Sequence, residues 1–215
     1  MSRDGNSKGM EVKHNIPKGS RGLAQSAFDL GVSFHEAALR STEPVRDGLG
    51  VVSPTGPAIV CAAFACELYL KALQGAASQI LPRGHELEKL FGGIPILAQQ
   101  SIRDDYDVAL SKYGFILKDD LTEISRAFEK WRYMYEEDGQ HVNQAAVFMF
   151  ARAIYLTVRA TQSGWPVTPY LHKRLSNIPA GLVLRTEHVG GGVVIQVVLA
   201  QTLAREAWSW GWSWR

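Results

Sequence analysis

The stretch PAIVCAAFACELYLKALQ, residues 57–74, decides the fold of this chain. Its apolar side chains fall on every side of a helical projection, and only Glu67 and Lys71 carry charge. A helix of that kind belongs at the centre of a helical bundle. Thr55 and Pro57 supply the cap and the first-turn residue that predict its start. Because the run is shorter than the ~20 residues that span a bilayer and holds two charges, it predicts a buried helix and no membrane span.

Three further segments have apolar residues at intervals of three and four, which predicts helices that pack against the central one. They cover residues 23–40, a segment capped by Asp119 and Asp120, and a segment that starts at Asn143. The residues predicted to face inward are Leu23, Ala27, Leu30, Phe34 and Ala38 in the first, Leu121, Ile124, Phe128, Trp131 and Tyr135 in the second, and Val147, Phe150, Ile154 and Val158 in the third.

The remaining segments have weaker patterns. Residues 41–56 are rich in proline and glycine and are predicted to be irregular, whereas 85–91 and 96–113 are predicted to be helices. After residue 162 the sequence predicts a proline-containing loop and then a β-like run over 193–199. We therefore expect an all-α bundle over 23–162, a flexible basic arm over 1–22, and a C-terminal extension of undefined structure over 163–215.

Composition gives no global drive toward one class of partner. The 215 residues include 23 Lys and Arg against 21 Asp and Glu, a net charge of +2, so any nucleic-acid or anionic-membrane site has to be local. The two cysteines, Cys61 and Cys66, lie about 140° apart around the predicted helix and so cannot form a disulfide with each other. Reduced thiols favour a cytoplasmic location, with no membrane partner.

Three segments in order give the chain a family resemblance. They are ACELYLKAL at 65–73, GHELEKLF at 84–91 and FEKWRYMYE at 128–136. Together they resemble the HEPN superfamily of small helical domains over residues 23–162. The resemblance implies an all-α, HEPN-like bundle that forms a homodimer and associates with RNA or a nucleotide. It also implies a toxin–antitoxin or phage-defence setting with a cognate protein partner.

Catalysis is a separate question, because HEPN ribonucleases generally carry an Arg followed by a His after four to six intervening residues. No Arg in this chain has a His in that window. The nearest pair is Arg132 and His141, with eight residues between them, and the acidic run Glu136-Glu137-Asp138 lies in the gap, where it opposes binding of a phosphate. We expect little or no ribonuclease activity. The alternatives are a metal-independent ribonuclease that uses Arg132 and His141, and a structural oligomerisation domain.

A second set of residues forms the predicted binding or buried polar cluster. Glu67 and Lys71 stand at i and i+4 in the order that favours a helix ion pair, on a helix with little solvent face. Buried charges are costly unless they are matched, so the two either pair with each other and with Arg132, or open onto a polar cleft. The other predicted members of the cluster are His85, Tyr135 and Glu136.

Cofactor and metal motifs are missing from the sequence. The segment His85-Glu86-Leu87-Glu88-Lys89 has Lys89 where a zinc-protease motif has its second histidine. Neither glycine-rich segment, at 48–50 or 190–192, is followed by the Lys-Ser/Thr of a phosphate-binding loop. The sequence therefore predicts no metal and no cofactor.

Overall fold

The computed structural model describes residues 22–43, 45–46, 51–52, 55–132, 143–176, 182–189 and 192–199, and most of them are helical. The helices are α1 (Leu23–Ser41), α2 (Thr55–Ser78), α3 (Leu87–Gly92), α4 (Ile96–Leu110), α5 (Leu117–Arg132), α6 (Gln144–Thr161) and α7 (Pro169–Ser176), with a 3₁₀ turn at Ser111–Tyr113 after α4. The predicted all-α class is confirmed.

Two antiparallel strand pairs accompany the helices. Strands β1 (Val45–Arg46) and β2 (Val51–Val52) pair over two residues each, inside the segment predicted to be irregular. Strands β3 (Leu182–Val189) and β4 (Gly192–Leu199) pair over eight residues each, with Leu182 opposite Leu199. Strand β4 matches the β-like run predicted from the sequence, whereas β3 was not predicted. Strand β4 contacts α6.

Helix α2 lies at the centre of the bundle, as its composition predicts. It contacts α1, α3, α5 and α6. Its most deeply buried residues include Ile59, Cys66, Tyr69 and Leu70, which are fully enclosed. The expectation that it is too short to span a bilayer is wrong, because residues 56–78 meet the length and composition of a membrane helix. Most of this stretch is buried against the bundle, which accounts for its apolar character.

Helix α1 turns inward a face that only partly matches the one predicted, since Ala27 and Ala38 are buried as expected. Leu23 and Leu30 are exposed, whereas Phe28, His35 and Leu39 are buried. The buried face is displaced by about one position because its centre contains Gly31 and His35, which an apolar pattern does not count. A Cβ atom on Gly31 would lie 2.8 Å from the Tyr69 ring, so α1 approaches α2 closely at this residue.

Helix α6 begins where the sequence predicts. The Asn143 side-chain oxygen accepts a hydrogen bond from the Ala146 amide at 3.2 Å, which caps the first turn. The four residues predicted to face inward are fully buried, namely Val147, Phe150, Ile154 and Val158. Helices α2, α5 and α6 contact one another, so the three strongest patterns in the sequence do form one bundle.

The start of α5 corrects a sequence prediction. This helix begins at Leu117, which puts Asp119 and Asp120 in its first turn and not at the cap. The capping interaction comes from a neighbouring helix, because the Asp107 carboxylate of α4 accepts a hydrogen bond from the Leu117 amide at 2.8 Å. The Tyr106 hydroxyl donates to Asp120 at 2.6 Å, which ties the same two helices together again. The residue spacing within one helix cannot reveal a capping side chain that a different helix supplies.

Two shorter helices also differ from the prediction. Helix α3 begins at Leu87, so His85 precedes the helix and does not start it. Helix α7, in the predicted proline-containing loop, was not expected at all. Its sequence PYLHKRLS has a single buried residue, Leu175, which gives a periodicity search almost nothing to detect.

The close approach of α1 to α2 predicts the effect of filling it. Gly31→Ala places a methyl group against a fully buried tyrosine ring, and overpacking costs roughly 1–3 kcal/mol. Alanine recovers about 1 kcal/mol of helix propensity. We expect a net loss of about 1 kcal/mol in the free energy of unfolding, measured by urea denaturation.

The matched control is Gly92→Ala. Gly92 is also helical, at the end of α3, and a Cβ atom added to it would meet nothing within 4 Å. This variant should be at least as stable as the wild-type protein. Equal stability of Gly31→Ala and Gly92→Ala would show that the α1–α2 contact is looser than described.

Candidate functional site

The candidate site lies along one edge of α2. Phe64, Glu67, Lys71 and Gln74 follow one another at intervals of three and four, so they share one side of the helix. Phe64, Lys71 and Gln74 on this side are half-buried. The Glu67 side chain is only 8% exposed and that of Lys71 is 15% exposed. The charges of the central helix therefore sit at the rim of the core and not on its axis.

A single carboxylate oxygen organises the site. Oε1 of Glu67 accepts a hydrogen bond from Lys71 Nζ at 2.8 Å. The same oxygen lies 3.0 Å from Nδ1 of His85, which stands on the segment between α2 and α3. Gln74 of α2 binds the helix that follows this segment, since its amide donates to the Leu90 carbonyl of α3. Helix α2 thus fixes both the charge partner and the histidine.

His85 is the solvent-facing member of the group, with a side chain that is 76% exposed. When Nδ1–H donates to Glu67, the second ring nitrogen, Nε2, is an acceptor that a ligand can reach. Lys71 neutralises Glu67, so the three residues sum to zero charge with a neutral His85 and to +1 with a protonated one. With Nε2 as an acceptor, the arrangement suits recognition of a polar group that donates a hydrogen bond to an oriented imidazole.

The structure brings together three of the residues that the sequence singled out, namely Glu67, Lys71 and His85. Arg132 is the last residue of α5, and its side chain lies outside the described residues. Tyr135, Glu136 and His141 belong to 133–142, which also lies outside them. The inclusion of Arg132 in the cluster and the Arg132–His141 pair both stay predictions.

A second polar group, which sequence reasoning missed, lies between α1, α2 and α6. His35 is fully buried, and its Nδ1 is 3.3 Å from the Tyr69 hydroxyl. Its Nε2 has no hydrogen-bond partner within the described part of the chain. The Tyr155 ring lies edge-on to His35 with the ring centroids 6.3 Å apart. The sequence feature that could have revealed this polar group is the pair His35-Glu36 in the middle of an apolar helix.

Burial sets the protonation of this second group. Desolvation lowers the pKa of His35 from 6.5 to about 3, so the imidazole is neutral in the folded protein. Desolvation also raises the pKa of Tyr69 well above its usual range and that of Tyr155 to about 12. Burial likewise raises the pKa of the Cys66 thiol. These groups are uncharged at neutral pH.

Comparisons with known proteins do not assign the site. No protein-family model matches the chain, and no curated protein or solved structure matches it. The HEPN resemblance accordingly rests on its three sequence segments. Across the described ranges, no group of three or more His, Cys, Asp or Glu side chains is arranged to hold a metal ion.

The burial of Glu67 predicts a large effect of its removal. Glu67→Ala removes the carboxylate partner of Lys71, whose side chain is only 15% exposed, and breaking a buried ion pair costs roughly 3–5 kcal/mol. Because Lys71 retains some access to water, we expect a loss near the lower end, about 3 kcal/mol, in urea denaturation.

The control for this experiment is Glu86→Ala, which breaks an exposed pair with Lys89. Exposed ion pairs contribute little to the free energy of unfolding, so this variant should unfold at the same urea concentration as the wild-type protein. If Glu67→Ala were as stable as Glu86→Ala, the pair would face solvent and the site would be an open cleft.

The neutral, buried state of His35 predicts a pH dependence of stability. Its pKa is 6.5 unfolded and about 3 folded, so as pH falls below 6.5 the unfolded chain binds a proton that the folded protein does not. His35 then costs about 2 kcal/mol of stability between pH 6.5 and pH 5. Urea denaturation at pH 5, 6 and 7 measures this slope.

The slope separates His35 from the other histidines. His35→Gln should lose the His35 contribution to the pH dependence of stability, even if its stability at pH 7 also changes. His172→Gln changes an exposed histidine and should keep that pH dependence. Identical pH slopes for wild-type protein and His35→Gln would contradict a buried neutral imidazole.

Proposed function

We propose that this chain is a non-catalytic, HEPN-like helical module that acts by association, with RNA or a nucleotide as its ligand. The observation that carries the proposal is the shared oxygen of Glu67, which holds Lys71 at 2.8 Å and His85 at 3.0 Å. The cluster presents one oriented imidazole to solvent while its buried cation is already matched. That arrangement favours binding of a ligand over catalysis.

The argument against catalysis concerns charge. Metal-independent cleavage of RNA needs a proton-transfer group together with a cation free to stabilise the developing phosphate charge. In this site the Lys71 ammonium is bound to Glu67, and the carboxylate stands between the cation and the imidazole. A ligand phosphate near His85 would also meet Glu86 and Glu88 on the same exposed segment.

The biological setting of the proposal comes from the HEPN resemblance. It comprises a cytoplasmic homodimer, a cognate protein partner and a place in a toxin–antitoxin or phage-defence system. Within the described residues, the closed Glu67–Lys71 pair also favours a second candidate, a structural oligomerisation domain, since a matched buried pair can serve the scaffold alone. The two candidates differ in whether His85 has a ligand.

The test is a binding and cleavage assay with purified protein in excess chelator. The probes are fluorescently labelled single-stranded RNA and a labelled adenine nucleotide, followed by anisotropy and by gel. We expect binding without cleavage, and about tenfold weaker binding for His85→Ala. Lys118→Ala removes an exposed cation from the first turn of α5 and should change binding by less than twofold.

Two outcomes would overturn the proposal. RNA cleavage that is lost in Arg132→Ala or His141→Ala would establish the ribonuclease alternative. Failure to bind either probe, in a protein that is dimeric in analytical ultracentrifugation, would favour the oligomerisation domain.

A further inference from the structure

Helix α7 is attached to the bundle mainly through polar contacts. It is eight residues long, and isolated helices below about 12–15 residues are marginal in water. Leu175 is its buried residue, with Leu171 packed part-buried beside it. Its local stability therefore depends on the side chains that tie it to α1 and α6.

Those ties are ionic toward α1 and hydrogen-bonded toward α6. Arg174 of α7 lies between two carboxylates, with Nε 3.0 Å from Glu36 and the terminal nitrogen 2.6 Å from Glu43. On the other side His172 Nδ1 is 2.9 Å from the Tyr155 hydroxyl. Arg152 of α6 donates to the carbonyl of Ser176 at 3.0 Å.

Two residues next to α7 connect it to the second polar group, because Arg174 contacts Glu36, the neighbour of His35 in the sequence, and His172 contacts Tyr155. Glu36 is buried except for a small part, and Tyr155 is fully buried. Tyr155 packs directly on His35, whose Nε2 has no hydrogen-bond partner in the described structure. Exposing a hydrophobic cluster to water would cost free energy in proportion to its apolar area. A buried carboxylate, an unsatisfied imidazole nitrogen and a tyrosine hydroxyl gain hydrogen bonds from water or a ligand once the cover is removed.

We propose that α7 is a latch, a helix that opens reversibly as a unit and uncovers the polar group of His35, Glu36 and Tyr155. Arg174 holds the helix closed, since it pairs with the carboxylates of Glu36 in α1 and of Glu43 just after it. The open state presents a carboxylate and a hydroxyl beside an imidazole, a set suited to a cationic ligand such as a guanidinium, the group that Arg174 places there in the closed state. The latch shares no residue with the Glu67 site, so it is independent of the proposed function.

Hydrogen exchange with mass spectrometry on the full chain tests the latch. In the wild-type protein, amides of α7 should exchange at least tenfold faster than those of α6, because α7 opens without global unfolding. Arg174→Met should raise α7 exchange about tenfold further and leave α6 unchanged. In parallel, diethylpyrocarbonate should modify His35 several-fold faster in Arg174→Met, since the reagent reaches His35 when α7 is open.

The matched control is Arg40→Met. Arg40 pairs with the same carboxylate, Glu36, at 2.7 Å but belongs to α1 itself, so its loss should leave α7 exchange and His35 modification at wild-type rates. If Arg174→Met does not fold, wild-type protein in 0.05 and 1 M NaCl replaces it, with faster α7 exchange expected at high salt. Equal protection of α7 and α6 in the wild-type protein, or modification of His35 that does not follow α7 exchange, would overturn the latch.

Discussion

The burial of α2 is the constraint on which the rest of this structure depends. A helix that is apolar on almost every side has to be covered by other helices, and α1, α3, α5 and α6 provide that cover. Helix α1 approaches α2 closely at Gly31, where the absence of a side chain admits the Tyr69 ring. Cover is incomplete at Lys71, and there the charges of Glu67 and Lys71 satisfy each other. The fold and the candidate site thus have the same origin.

The two polar groups of the bundle are handled in different ways. On α2 the charged side chains of Glu67 and Lys71 form an ion pair, and the Glu67 carboxylate orients the solvent-exposed His85. Between α1 and α6 the polar groups are kept neutral by burial, which lowers the pKa of His35 and raises that of Tyr155. The oriented, exposed imidazole of His85 suits recognition of a ligand. The imidazole of His35 is buried and neutral while α7 is closed, and its environment changes when α7 opens.

The sequence predicted what depends on long apolar periodicity. The central helix, the bundle of α2, α5 and α6, and the cap at Asn143 all follow from residue spacing, as does the pairing of Glu67 with Lys71. Prediction from the sequence failed where tertiary contacts determine the local structure. The cap of α5 comes from Asp107 on another helix. The inner face of α1 contains Gly31 and His35, which do not count as apolar, and α7 depends on Arg174 meeting carboxylates that lie more than 130 residues earlier in the sequence.

Native-state hydrogen exchange of α2 as a function of urea tests the central claim most directly. If α2 is the enclosed core of the bundle, its amides between residues 62 and 73 exchange only when the whole protein unfolds. The account predicts that their opening free energy falls with urea at the same slope as global unfolding, in the absence of detergent or lipid. A shallow slope, with α2 exchanging through local opening while α6 stays protected, would contradict a bundle built around this helix.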